Sequence, residues 1–321
     1  MKTFSVFQND AGQRLDKFLQ KAAPLLPVSL LYKSIRQKNI KLNGKRCVPG
    51  VKLTAGDVVS LYLPDEFFAP RPLPFLGAPP DINVVYEDEH ILLVNKPQGL
   101  LVHEGDGQGS DTLIWRILHY LYKKGDFDPQ TEQSFTPALC NRIDRNTGGI
   151  VIAAKSFEAL QILSEKIKAR QVTKLYMCII YGIMAHKSGT LKGYHQKDAE
   201  SNTVRITREP AAGSKTALTR YRILAERGGK SLVEAELLTG RTHQIRAQFA
   251  AAGYPILGDS KYGSDRRNAL LKNRQALLAY KVIFSFTTPA GALDYLAGKS
   301  FEIDVPFAGE FDGFFCNIPI L

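Results

Sequence analysis

What this 321-residue chain lacks narrows its chemistry first. Its four cysteines (Cys47, Cys140, Cys178 and Cys316) are far apart and form no C-x-x-C pair. That excludes a zinc ribbon or a disulfide framework and suits a reducing cytoplasm. Its six histidines (His90, His103, His119, His186, His195 and His243) include no H-E-x-x-H and no partner at ligand spacing, so no metal is expected. No apolar run approaches the roughly 20 residues of a membrane span. The opening MKTFSVFQND meets Asp10 before any hydrophobic stretch, so no secretion signal is expected. There is no internal repeat of solenoid length. GDGQG at 105–109 brings its third glycine one residue early for a dinucleotide loop and reads as a surface loop. Gly298-Lys299-Ser300 ends like a phosphate loop, but Leu293 stands where the first glycine must be. No nucleotide cofactor is expected.

Acid is nearly missing from one stretch. Residues 14–52 hold ten basic side chains (Arg14, Lys17, Lys21, Lys33, Arg36, Lys38, Lys41, Lys45, Arg46, Lys52) against Asp16 alone. They carry +9 of the chain's net +11. A patch so dense is either a solvated basic face or the footprint of a nucleic-acid binder, and its concentration favours the second. We single out Arg14, Lys17, Lys33, Arg36 and Lys38 as candidate RNA contacts. The rest of the composition, 44% hydrophobic and 10% aromatic, is ample for a large core plus a small one.

RLDKFLQKAA puts Leu15, Phe18, Leu19 and Ala22 on one helical face and Arg14, Lys17 and Lys21 on another. A second helical pattern follows Pro27, and short β-prone pieces then alternate with turns at Asn43-Gly44 and Ala55-Gly56-Asp57. A small basic module over residues 1–63 is expected. Six prolines between Pro64 and Pro80 predict a stiff, extended linker over 64–81. Residues 82–321 then mix strand-like runs (ILLVNKP, GGIVIAAK, KLYMCIIYG, TALTRYRILAE, SLVEAELLTG, ALLAYKVIFSF) with helix-like stretches around 110–123, 156–170 and 241–253. The order is not a regular βαβ alternation, so the expected class is α+β: a mixed, mainly antiparallel sheet flanked by helices, plus a small N-terminal α/β domain.

Three segments carry candidate chemistry. In NRIDRNTGG, Asp144 sits between Arg142 and Arg145, where an acid is expected to stay ionised as a nucleophile or base, or else to close a surface ion pair. In KLYMCIIYG, Tyr176 falls among alternating apolar residues, where a ring can stack on a base or simply fill a core. In LLTGRTHQIRAQF, Gly240 ends a strand and Thr242 is a candidate helix cap. Arg241 and Arg246, five apart, face different partners, one of them Asp144 and the other a phosphate. His243 reads as a structural hydrogen-bonding histidine.

Together these residues resemble the pseudouridine synthases of the RluA type. The family pattern H-R-L-D-x-x-T-S-G-x-x-x-x-A-K stands here as N-R-I-D-R-N-T-G-G-I-V-I-A-A-K, residues 141–155. The likeness continues through ILLVNKPQGLLVH, KLYMCIIYG, GRTHQIR and GYPILGDSKYG. The N-terminal module is similar to the small RNA-binding domain first known from a ribosomal protein, an arrangement that looks like the rRNA-modifying branch of the family. The resemblance implies an isomerase of uridines in structured RNA, working without cofactor or metal. It implies Asp144 as the catalytic carboxylate, Tyr176 against the target base, Arg246 paired with Asp144, and Arg142 in the space left by a flipped uridine. Asn141 and Gly148 replace the usual His and Ser, which puts fine positioning in question.

The expected substrate is large-subunit rRNA, with tRNA as the alternative, and the expected state a cytoplasmic monomer. A catalytically silent RNA-binding or ribosome-assembly factor is the rival reading, against which Asp144, Tyr176 and Arg246 all stand. A hydrolase using Asp144 and His243 lacks an oxyanion loop and a second acid in suitable context.

Overall fold

The computed structural model describes residues 1–68, 73–104, 111–129, 132, 134–198, 203–263 and 275–311. GDGQG and Cys316 lie outside these described residues.

The N-terminal module begins with β1 (Lys2–Ser5), α1 (Leu15–Ala22) and α2 (Val28–Arg36). Strands β2 (Ile40–Leu42), β3 (Lys45–Arg46) and β4 (Val58–Leu61) follow, in a sheet ordered β1-β4-β2-β3. The amphipathic reading of α1 holds: Leu15, Phe18 and Leu19 are buried while Lys17 and Lys21 are exposed. Asn43 and Gly44 both take positive φ, which a two-residue hairpin turn between β2 and β3 requires. Asp16 is buried despite its charge because Arg14, the Tyr32 hydroxyl and the Lys17 N–H all donate to it.

The proline-rich stretch departs from the expected extended linker. Its described parts form 3-10 turns at Asp65–Phe68 and Pro74–Gly77, and Phe75 is buried against Phe127 and Tyr122. Burial of an aromatic ring outweighs the preference of a proline-rich chain for extension.

The larger part runs β5 (Val84–Glu87), β6 (Ile91–Lys96), α3 (Leu113–Lys124), β7 (Ala138–Leu139), β8 (Gly148–Ala154), α4 (Phe157–Lys168) and β9 (Val172–Tyr181). It continues with β10 (Ser188–Asp198), β11 (Thr203–Thr207), β12 (Lys215–Arg227), β13 (Lys230–Leu237), α5 (Gln244–Ala251), β14 (Leu277–Phe284) and β15 (Ser300–Glu302). The sheet order is β11-β10-β12-β13-β9-β14-β8-β6-β5, with β15 beside β14 and β7 beside β8. Among the described residues all strand pairs are antiparallel except β14 with β8, so the class is α+β as expected.

The central strands are apolar on both faces. Along β6 and β8, Leu92, Val94, Val151 and Ala153 join one core under α3, while Ile91, Leu93, Ile150, Ile152 and Ala154 join another under α4. That alternation is the period of two of a strand buried on both sides. Thr112 caps α3 by accepting from the Trp115 N–H, Gly125 ends it in the left-handed region, and Ser156 caps α4.

The two modules touch. Buried Asp10 accepts from the backbone N–H and the hydroxyl of Ser134 at 2.9 and 2.6 Å, and Lys21 Nζ lies 5.9 Å from the Phe157 ring centre.

Candidate active site

Asp144 sits in the loop between β7 and β8, where the Thr147 N–H donates to its carbonyl and closes a turn. The next two residues are the glycines that open β8. Gly149 has φ +115°, and a Cβ there would lie 2.3 Å from the carbonyl oxygen of Ala279, so only glycine lets β14 pair so closely. A Cβ on Gly148 would meet Leu278 Cδ1 at 3.1 Å and Gln98 Cγ at 3.3 Å. Asn141 accepts the Ile152 N–H through Oδ1 at 2.8 Å, a structural bond that fixes the start of the loop.

Neither flanking arginine pairs with Asp144. Arg145 donates through Nε to the carbonyl of Gly99, and its own carbonyl accepts from the Gly99 N–H and from Lys96 Nζ. Lys96 is fully buried and also donates to the carbonyls of Pro97 and Leu100. Burial lowers its ammonium to about 8, against the opposing pull of the Asp144 charge. Arg142 is exposed at the rim of the cleft.

The partner of Asp144 is Arg246, 102 residues on, with Nη1 3.1 Å from Oδ2. Arg246 projects from α5 and is itself held by Asp259, through Nε at 2.7 Å and Nη2 at 2.9 Å. This forked pair is buried, with the Asp259 side chain 0% and the Arg246 side chain 7% exposed. Burial acts to raise Asp259, but the Arg246 hydrogen bonds and charge, with the N–H groups of Lys261 and Tyr262, more than offset it and hold its carboxyl below the usual range. Burial likewise acts against the Arg246 cation, and its two carboxylate neighbours raise it instead. One guanidinium thus bridges a sealed carboxylate and an accessible one, Asp144, whose side chain is 23% exposed.

Tyr176 reaches the same cleft from β9. It is buried, and burial, then the Asp144 charge, push its hydroxyl well above the ordinary tyrosine value. Arg142, Asp144, Tyr176, Arg241, His243 and Arg246 all line this open cleft. Arg241 is exposed and donates to the Thr216 carbonyl at 3.4 Å. Helix α5 does not start on Thr242: His243 is the N-cap, at φ +53°, and the side chain of Gln244 satisfies the Arg241 N–H instead. A glutamine reaching back across the turn replaces the expected threonine cap.

Arg14, Lys17, Lys33, Arg36 and Lys38 are all exposed, and all lie in the N-terminal module rather than in the cleft. Arg14 is paired with Asp16 at 2.8 Å while still 54% exposed. Sequence reasoning missed Asp259, although it stands in GYPILGDSKYG; its contact with Arg246 is a tertiary one that carries no periodicity. Among the described residues no group of three or more His, Cys, Asp and Glu side chains is placed to hold a metal ion, and no helix is long and apolar enough to cross a membrane.

Residues 90–251 match the family described as RNA pseudouridylate synthase, and residues 13–59 match the S4 domain. A ribosomal large subunit pseudouridine synthase C of Salmonella typhimurium is 32% identical over 316 residues, covering 95% of this chain and 93% of that protein. An RNA pseudouridine synthase of Bacillus subtilis is 31% identical over 275 residues, covering 85% and 86%. Among solved structures, human RNA pseudouridylate synthase domain containing 1 shares the fold at a TM-score of 0.57 and 21% identity, over 79% of this chain and 93% of that one.

A modifying-enzyme fold joined to an RNA-binding S4 module defines the class, an enzyme acting on RNA. More particularly, the chain belongs to the RNA pseudouridylate synthase family, RluA type, with its S4 domain on the N-terminal side. It is an isomerase that converts uridine in RNA to pseudouridine.

Proposed function

We propose that Asp144 is the catalytic carboxylate and that the RNA is that of the large ribosomal subunit. The observation that carries the site reading is the Asp259–Arg246–Asp144 chain, which presents one accessible carboxylate beside a buried tyrosine at the floor of a cleft. The substrate reading is supported by relatives named ribosomal large subunit pseudouridine synthase C, which match 82% and 95% of the chain at 32% identity.

The isomerisation breaks the bond from uracil N1 to the ribose, turns the base, and forms a new bond from C5. The C5 proton leaves and N1 gains one, so there is no net oxidation or group transfer. Asp144 acts as an anion, whether toward the base, the sugar C1′ or a sugar proton. Arg246 holds it in one orientation, because its other two donors are already fixed on Asp259. Tyr176 packs against the uracil, and its raised hydroxyl stays protonated through neutral pH. A base within a helix is unreachable, so the uridine is flipped at a cost of a few kcal/mol, and Arg142 on the rim enters the space it leaves. Arg241 holds the neighbouring phosphates, and Arg14, Lys17, Lys33, Arg36 and Lys38 supply binding energy from the S4 side. The setting is the cytoplasm, where ribosomal RNA and free cysteines both belong.

Tritium release from RNA labelled at uridine C5 tests the site: Asp144→Ala should lose at least about 10³-fold in rate with RNA affinity little changed. Turnover persisting in that variant would sink the role of Asp144. Mapping pseudouridines in stable RNAs with and without the gene tests the substrate. A site lost from tRNA and none from large-subunit rRNA would overturn it.

A further inference from the structure

Tyr262 touches β11, the N-cap residue of α5 and the Arg246 side chain at once. Its hydroxyl oxygen accepts the N–H of Val204 on β11 at 2.9 Å and lies 2.9 Å from Nδ1 of His243. Its ring faces the Arg246 guanidinium at 5.2 Å and meets the His243 ring edge-on at 5.7 Å. The opposite nitrogen of that imidazole, Nε2, is 3.9 Å from Asp144 Oδ2. That is too long for a hydrogen bond but close enough for charge to act on the N–H dipole.

The proton positions follow from these neighbours. A nitrogen facing a carboxylate is favoured as N–H, which leaves Nδ1 with the lone pair. The tyrosine oxygen already accepts from Val204, so its own hydrogen is free to serve Nδ1. Burial, more than the opposing Val204 and Arg246 contacts, raises Tyr262, so the hydroxyl keeps that hydrogen through neutral pH. His243 also holds a left-handed backbone conformation at φ +53°, which a non-glycine residue adopts only where its surroundings impose it.

We propose that Tyr262 is a positioning residue for the isomerisation, donating to His243 Nδ1 so that the imidazole stays neutral and aims its Nε2–H at Asp144. This rests on the reading of Asp144 as the catalytic carboxylate. The groups that face the imidazole are Asp144 from the β7–β8 loop, Arg246 from α5, and Asp259, Lys261 and Tyr262 from the segment after it. Burial disfavours the imidazolium first; Asp144 opposes that, and Arg246 and Lys261 add to it. A hydrogen bond accepted by the neutral ring acts the same way. An imidazolium here would form an ion pair with Asp144 and compete with its attack on the substrate. The same hydroxyl accepts from β11, whose hairpin with β10 presents Lys192, Lys197 and Arg205 to solvent.

The test uses the full-length enzyme and total RNA, labelled with tritium at uridine C5, from cells lacking the gene. Single-turnover rates and RNA affinity are measured across roughly pH 5.5 to 9. Tyr262→Phe keeps the ring over Arg246 and removes only the hydroxyl. Its rate should fall about tenfold near pH 6 and less near pH 8, with affinity unchanged, as the acidic limb moves upward. In a His243→Gln background, where nothing at that position titrates, adding Tyr262→Phe should produce no such shift. An acidic limb unmoved in Tyr262→Phe, or moved equally in the His243→Gln background, would overturn the proposal. Were Tyr262→Phe to misfold, His243→Gln alone decides: its acidic limb should lie no higher than that of the wild type. Asp144→Ala separates the two readings: if it is inactive while the Tyr262→Phe limb stays put, only the role of Tyr262 fails.

Discussion

The S4 module and the cleft use positive charge in opposite ways. Lys17, Lys33, Arg36 and Lys38 are exposed and make no ion pair among the described residues, whereas Arg246 is 93% out of solvent and spans two carboxylates. Exposed cations gain by displacing counterions from a polyanion, a sum over many interchangeable contacts. The buried cation gains nothing from number; its value is that Asp259 fixes the direction in which its third donor meets Asp144. On the proposed reading, affinity and chemistry are carried by separate sets of charges, and substitutions should damage them by different amounts and through different observables.

The largest effect is expected where the buried set is broken. Asp259→Ala leaves Arg246 half-unpaired in a dry site, which should cost about 3 kcal/mol of folding stability by chemical denaturation, together with most of the activity. The pH dependence has a definite sign. Asp259 is held below its ordinary value, so its stabilisation is complete above the unfolded carboxyl pKa and is lost as pH falls through the folded one. The gap between wild type and Asp259→Ala should be widest near neutrality and close below about pH 4. A gap that stays constant down to acid would show that the charge of Asp259 contributes nothing.

The exposed set should fail gently. Replacing Lys17, Lys33, Arg36 and Lys38 together by alanine should leave thermal stability and the single-turnover rate at saturating RNA nearly unchanged. The slope of log affinity against log salt should shrink by about one unit per residue removed. An unaltered slope would mean that these side chains never meet phosphate. A large loss of rate at saturation would mean that the two sets of charges are coupled, and the contrast drawn above would fall.

How much of this the sequence disclosed follows the same division. The basic patch, the amphipathic α1 and the buried strands β6 and β8 are local patterns, legible from charge density and periodicity. Asp144, Tyr176, Arg241 and Arg246 were legible as candidates, but spacing alone left open whether Asp144 answered to its flanking arginines or to a distant one. Only the contact across 102 residues settles that geometry, and it frees Arg145 to clasp Gly99. Asp259 and Tyr262 stand out only through their tertiary neighbours. The β10–β11 hairpin was not read at all. Its strands are largely polar, and Gly189 and Gly193 look like turns; yet a Cβ on Gly193 would lie 2.4 Å from Ile206 Cγ2, so that glycine serves close strand pairing.

The smallest expected effect concerns a residue in which this chain departs from its family's usual pattern. Gly148 and Gly149 are adjacent, both buried at the start of β8, and they differ in what surrounds them. Gly149 faces backbone at 2.3 Å with φ +115°, and nothing nearby can yield. Gly148 has ordinary backbone angles, and its tightest neighbours are the side-chain atoms Leu278 Cδ1 and Gln98 Cγ, with the Lys96 carbonyl next at 3.4 Å. Side-chain ends move by a few tenths of an ångström far more cheaply than a paired strand does. Gly148→Ser, which restores the usual family residue, should therefore cost no more than about 1 kcal/mol, the low end of core overpacking. The serine sits four residues from Asp144 along the chain, on the strand that anchors its loop, so its effect on rate should come through small displacement alone and stay within severalfold. Denaturant midpoints and single-turnover rates for the variant decide this. A loss comparable to that of Asp259→Ala would mean that the glycine itself sets the position of the carboxylate, and that the cleft is tuned at this point rather than tolerant of it.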